Sequence, residues 1–320
     1  MFYKRRLLFA TCCALAAPLA WSADAYPTKP VRFVVPFAAG GESDIVARLI
    51  ASKLQTRGYT TVVDNRPGAG GNLGTEQALR ELPDGYTLLV ISGAYAGNAV
   101  VMKPSFDPLR AIQPVVQFSR QPSVLVVSTA SAITTLKELV DKARRSPSTI
   151  TYGSAGVGSL GNLAGEYFAS AAGIKLLHIP YKGTSGGMTD LAGGQIDMMT
   201  SGITAARSLA NSGKIRILAV SGVKRVPELP DVPTFAEAGV ADFEIGLWHG
   251  LVAPKDVPAP IIAKLNADVN EVLQEPDIQL RFSTDAMVSV GGTPEQFRSV
   301  IKGDMERWRR IVKDANIKVQ

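Results

Sequence analysis

The stretch that decides the fold runs Val31-Arg-Phe-Val-Val-Pro-Phe-Ala-Ala-Gly-Gly-Glu-Ser-Asp44. Residues 31–36 form a short apolar run that reads as a buried strand. A glycine pair follows. Asp44 then reads as the cap of an amphipathic helix over 45–55, whose apolar face is Ile45, Val46, Leu49, Ile50 and Leu54. The same plan returns at Tyr152-Gly-Ser-Ala-Gly-Val-Gly-Ser159, which follows a strand over 149–153 and precedes a helix over 159–172. Each half of the chain therefore opens with strand, glycine-rich loop and helix.

Outward from these two loops, strand and helix alternate. Strands are expected at 61–64, 87–91, 124–128, 175–180, 196–200 and 215–220, with a long apolar one over 243–253. Helices are expected at 73–81, 186–192, 259–273 and 293–315. A further helix over 135–145 is announced by the capping box Thr135-Leu-Lys-Glu138, and Pro258 sits where a first-turn proline would. Alternation of this kind predicts an α/β fold with mainly parallel sheets. The chain has 320 residues, against roughly 100–200 per domain, so two domains are expected.

Composition narrows the function. Lys and Arg number 34 and Asp and Glu 28, a net charge of +6. Lys4, Arg5, Arg6 and Asp24 supply +2 of it, leaving +4 thinly spread over the remainder. No basic stripe forms and aromatic residues are 7%, so no nucleic-acid partner is expected. Residues 1–25 read as an export signal. Three basic residues precede an apolar stretch over 7–20, and Ala23-Asp24-Ala25 offers a cleavage site, placing the mature start near Tyr26. That apolar run is shorter than the ~20 residues that span a bilayer. Both cysteines, Cys12 and Cys13, lie inside it, so the mature chain would have no thiol chemistry. With only two histidines as well, no metal site and no cofactor are expected. A protein of the bacterial periplasm is the simplest reading.

The chemistry is expected at the two glycine-rich loops. First-turn N–H groups of a helix lack internal partners and carry the positive end of its dipole, so they bind anions without Lys or Arg. Two such loops facing each other would clamp one carboxylate. Three other patterns compete. Gly156-Val-Gly158-Ser-Leu-Gly161 matches a dinucleotide fingerprint, but the acidic residue expected about 20 positions later is missing. Gly183-Thr-Ser185-Gly-Gly187 matches a nucleophile elbow, with Asp197 and His249 following in hydrolase order. A secreted serine esterase using Ser185 is therefore the alternative reading. His178, in an apolar strand, reads as a satisfied core or edge histidine, and His249, beside Trp248, as a cleft residue.

At these loops the chain also resembles a known family, the Bug proteins, substrate-binding components of tripartite tricarboxylate transporters. The resemblance spans the mature chain. It rests on Pro36-Phe-x-x-Gly-Gly-x-x-Asp44, Asn65-Arg-Pro-Gly-Ala-Gly-Gly-Asn72, Tyr152-Gly-Ser-x-Gly-x-Gly-Ser159, Pro180-Tyr-Lys-Gly183, Gly193-Gly-Gln-Ile-Asp197 and Leu229-Pro-Asp-Val-Pro-Thr-Phe235, in that order. It implies a type II periplasmic-binding-protein fold, two α/β lobes hinged on two crossing strands near 122–127 and 246–251. Lobe one would be 26–123 plus 249–320 and lobe two 124–248. The implied carboxylate contacts are Phe37, Ala38, Ala39 and Gly41 in lobe one, and Ser154, Ala155, Gly158 and Ser159 in lobe two. Asp197 would accept from a ligand amine or hydroxyl, or else be a buried structural carboxylate. Trp248 would pack on the solute. The chain departs from the family at Ser92-Gly-Ala-Tyr-Ala-Gly-Asn98 and at Thr200-Ser201-Gly202, which makes Ser92 and Thr200 candidates for the distal part of the ligand. The implied ligand is a small organic carboxylate: a di- or tricarboxylate, an amino acid or an aromatic acid. The implied partners are membrane transporter subunits, with the receptor itself a monomer and not an enzyme. An orphan sensor subunit is a further alternative.

Overall fold

The computed structural model describes residues 26–317, apart from 103 and 242. The expected export signal lies outside them. The chain order is β1 (Val31–Val35), α1 (Glu42–Gln55), β2 (Thr61–Asn65), α2 (Asn72–Leu79), β3 (Thr87–Ser92), α3 (Gly93–Val101), β4 (Ile112–Ser128), α4 (Leu136–Arg145), β5 (Thr151–Ser154) and α5 (Leu160–Ala172). It continues with β6 (Leu177–Pro180), α6 (Thr184–Ala192), β7 (Met198–Gly202), α7 (Ile203–Asn211), β8 (Ile215–Val220), β9 (Gly246–Pro254), α8 (Ala259–Leu273), α9 (Pro276–Thr284), β10 (Val288–Gly291) and α10 (Pro294–Asp314).

Two parallel units carry the α/β alternation, β2-β1-β3 and β6-β5-β7, with the same order of strands. The strands that join them run antiparallel. β4 is the shared element: residues 112–122 pair with β9 and residues 123–127 with β7, the change falling at Pro122. Proline has no amide hydrogen to give the ladder, and it sits where one partner strand ends and the next begins. β9 lies wholly beside β3 and the first part of β4, beginning with Gly246 opposite Pro122. Residues 246–248, expected in the second lobe, therefore sit in the first sheet.

The local signals held where they were strong. Thr135 accepts from Glu138 N–H while the Glu138 side chain returns to the Thr135 amide, and Thr293 and Gln296 do the same for α10. Other expectations are corrected. Asp44 is not the cap of α1; Gly41 is, with no side-chain bond, and Asp44 stands one turn inside. Pro258 is the cap of α8 rather than its first residue. The segment after β3, for which no helix was expected, is a buried helix, α3. α7, α9 and β10 lacked a sequence signal of comparable strength.

Candidate functional site

In parallel α/β units the strand carboxyl ends and the helix N-termini meet on one edge, and ligands bind there. Here the two edges face each other. Between them lies a cavity of about 60 Å³ lined by residues from the starts of α1, α3, α5 and α6, the end of β7 and two residues of β9. From α1 come Gly41, Glu42 and Ser43, and from the β7 end Met199, Thr200 and Ser201. The N-termini of α1, α6 and α7 receive no side-chain cap. Ser92 and Ser159 cap α3 and α5, accepting from Ala94 and Asn162 N–H at 3.4 Å each. No Lys or Arg lines the cavity among the described residues. Helix N-termini are the source of positive potential there.

The loop over 36–44 is held by a short network. Asn65 Nδ2 donates to the Phe37 carbonyl at 3.0 Å and to Asp44 Oδ1 at 2.9 Å. Asp44 Oδ2 accepts from Gly40 N–H and Arg48 Nε, both at 2.9 Å. Burial alone would raise the Asp44 carboxyl. Arg48, the Gly40 amide and Asn65 outweigh it and hold Asp44 below the ordinary range.

Of the expected contacts, Phe37, Gly41, Ser92, Ser154, Ala155, Ser159 and Thr200 line the cavity. Five others do not. Ala38 and Ala39 sit at the seam, where Ala38 N–H donates to the Lys182 carbonyl at 3.4 Å and the Ala39 carbonyl accepts from Ser185 Oγ at 3.1 Å. Gly158 N–H is taken by Asn162 Oδ1 at 3.0 Å, and the residue packs on Asn98 and Met102. Asp197 precedes β7 rather than ending a strand, so it lies at the edge away from the cavity, with Oδ2 accepting from Thr151 N–H and Oγ1 at 2.8 Å each. Trp248 misses by one pleat. Leu247 and His249 face the cavity, whereas Trp248 points to α10, donating to Asp304 Oδ2 at 3.0 Å and meeting the Phe297 ring.

The lining also holds residues that sequence reasoning passed over: Glu42, Ser43, Ala94, Leu160, Gly161 and Thr184 among them. Glu42 is buried between α1 and the β7–α7 junction, accepting from Gln121 Nε2 and Gly202 N–H. Burial pushes its carboxyl up to about 7, against the pull of those two donors, and Asp285 adds a small push in the same direction. His249 is buried too, with Nε2 within 3.2 Å of Ser43 Oγ, and burial lowers it to about 4, so the ring stays neutral. His178 stacks on Tyr152 and its Nε2 meets Ser154 Oγ at 2.7 Å.

The residues of the esterase alternative are separately engaged. Ser185 bonds the Ala39 carbonyl, Asp197 bonds Thr151 and His249 bonds Ser43. They do not form a hydrogen-bonded relay.

The model of the tripartite tricarboxylate transporter family receptors matches residues 46–317. Among solved structures, that of the periplasmic binding protein BugD is 36% identical, with a TM-score of 0.88 over 92% of this chain and 100% of that one. An R. palustris protein solved with adipate is 33% identical, with a TM-score of 0.88 over 92% and 99%. MatC from Rhodopseudomonas palustris, solved with malate, is 31% identical, with a TM-score of 0.86 over 90% and 100%. The chain thus belongs to the tripartite tricarboxylate transporter receptor family, the Bug-type periplasmic solute-binding proteins.

Proposed function

We propose that this protein is exported to the periplasm, closes two lobes on a small organic carboxylate and delivers it to the membrane subunits of a tripartite transporter. One observation carries the reading. The N-termini of α1 and α6, which receive no side-chain cap, open on a cavity whose lining, among the described residues, has no Lys or Arg side chain. Buried N–H groups without internal partners need an acceptor, and a carboxylate supplies two oxygens at the favoured end of each dipole. The adipate and malate bound in two relatives belong to the same chemical class.

The lobes in this reading meet at Pro122, where β4 changes partner, and again ahead of Gly246. Phe37, Gly41 and Ser92 then act from lobe one, and Ser154, Ala155, Ser159 and Thr200 from lobe two. The receptor acts as a monomer in this reading. Membership in a receptor family supports delivery to a transporter.

The test is a thermal-shift screen of residues 26–320 against organic acids and their amides. A ligand that binds only the folded state stabilises it by about 2.7 kcal/mol at 100 times its dissociation constant. Acids that raise the midpoint while their amides do not support the clamp. Equal shifts from acid and amide would refute it.

A further inference from the structure

Among the described residues Glu42 is the one carboxylic acid lining the cavity, and no Lys or Arg side chain lines it with Glu42. It opens α1, the helix whose free N–H groups favour an anion, and its residue is only 8% exposed. Its two donors, Gln121 Nε2 and Gly202 N–H, are both neutral. A carboxylate can accept about four hydrogen bonds, so it keeps capacity for another donor. The charged group that acts on it is Asp285, itself held by Arg207 and Arg281, and Asp44 on the same helix is held by Arg48. None of them neutralises Glu42. Two further polar atoms are buried without a partner, Oε1 of Gln121, whose Nε2 bonds Glu42, and Nδ1 of His249, whose Nε2 meets Ser43. Gln121 Oε1 can only accept, and burial keeps the His249 ring neutral.

A cavity that holds acceptors as well as helix N-termini suits a ligand with both signs of charge. A second anion beside buried Glu42 would be repelled in a medium that screens poorly. A cationic donor would pair with it. We propose that the captured solute is an amino acid, its carboxylate at the helix N-termini and its ammonium against Glu42, so that Glu42 selects amino acids over the corresponding deaminated acids. This rests on the carboxylate-capture reading above and narrows it.

The experiment is calorimetric titration at about pH 8, where free amino acids carry an ammonium. Matched ligands differ only at one carbon: succinate, malate and aspartate carry hydrogen, hydroxyl and ammonium, and glutarate with glutamate, and 3-phenylpropionate with phenylalanine, repeat the comparison. The wild-type protein should bind at least one amino acid about 30-fold or more tightly than its deaminated partner, the loss typical of removing one member of a buried charge pair. Glu42→Gln should reduce that ratio to about threefold or less while binding the deaminated acid no more weakly. Equal wild-type affinities for both members of each pair would overturn the proposal while leaving carboxylate capture intact. So would an unchanged ratio in Glu42→Gln. If no acid in the set binds either protein, carboxylate capture fails and the proposal fails with it. The wild-type ratio needs no variant, so a poorly folding Glu42→Gln cannot mask the result.

Discussion

Glu42 shows how little of a residue's chemistry lies in its name. In the sequence it is one more acid after a glycine pair, and solvated carboxylates at helix starts are common. In the fold, burial pushes its carboxyl up to about 7 from the ordinary 4.5, against the two donors Gln121 and Gly202. The sign follows from proton counting. Between those two pH values the folded chain holds a proton that the unfolded chain has released, so Glu42 lowers stability progressively as pH rises from about 4.5 through about 7. Glu42→Gln should remove this dependence. Urea unfolding of wild type and variant should show the variant gaining on the wild type by up to about 3 kcal/mol between about pH 5 and pH 8. His249, lowered to about 4, acts in the opposite direction but is present in both proteins. A variant that tracks the wild type at every pH would mean that the Glu42 carboxyl is not desolvated in the free protein. Asp44 makes the complementary point. A cap was a fair expectation from its spacing, yet its oxygens hold the loop amide of Gly40, Arg48 and Asn65 together.

Elements were most legible where local chemistry was explicit. The capping box at Thr135 marked the start of α4, and Thr135→Ala should cost about 1 kcal/mol in unfolding free energy. β9 was visible as an apolar run, but residues 243–253 have no alternation that tells one face from the other. Trp248 was expected on the solute, whereas the residues of β9 that line the cavity are Leu247 and His249. The pleat is set by pairing with β3 and β4, where Ser92 and Ser119 stand opposite His249. On the far face Gly250 lies under Phe297: a Cβ there would stand 2.3 Å from the ring and 2.8 Å from the Val116 carbonyl. Both sides are packed, so Gly250→Ala should destabilise the protein by about 1–3 kcal/mol, read by denaturant unfolding. A milder effect would show that α10 can move away from the sheet.

At the scale of the molecule, the loop over 69–71 and the loop over 157–159 approach closely. Gly70 is the tightest point of contact: a Cβ there would lie 2.2 Å from the Val157 carbonyl. Its φ of +61° also favours glycine. Gly70→Ala should weaken ligand binding about tenfold or more by holding the loops apart. Gly58→Ala is the control, because its φ is +82° and nothing lies within 4 Å of its Cβ position. It should lose about 1 kcal/mol of stability through backbone strain and keep its affinity. If both variants bind alike, contact between the loops over 69–71 and 157–159 is not part of capture. Small-angle scattering adds a check, since ligand should reduce the radius of gyration of the wild type and not of Gly70→Ala.

By itself the sequence determined the α/β class and the paired strand–loop–helix openings. These depend on periodicity, glycine and short-range capping, which act within a few residues of chain. Family resemblance extended that reading to the two-lobed plan. Only the tertiary structure decided which face of β9 meets the cavity, that Asp197 stands at the wrong end of β7, and that Glu42 is buried beside helix N-termini. Those outcomes turn on strand register and on desolvation by partners distant in the chain: Gln121 lies 79 residues from Glu42. No local pattern encodes such a distance, because burial is a property of what packs around a residue and not of the residue itself.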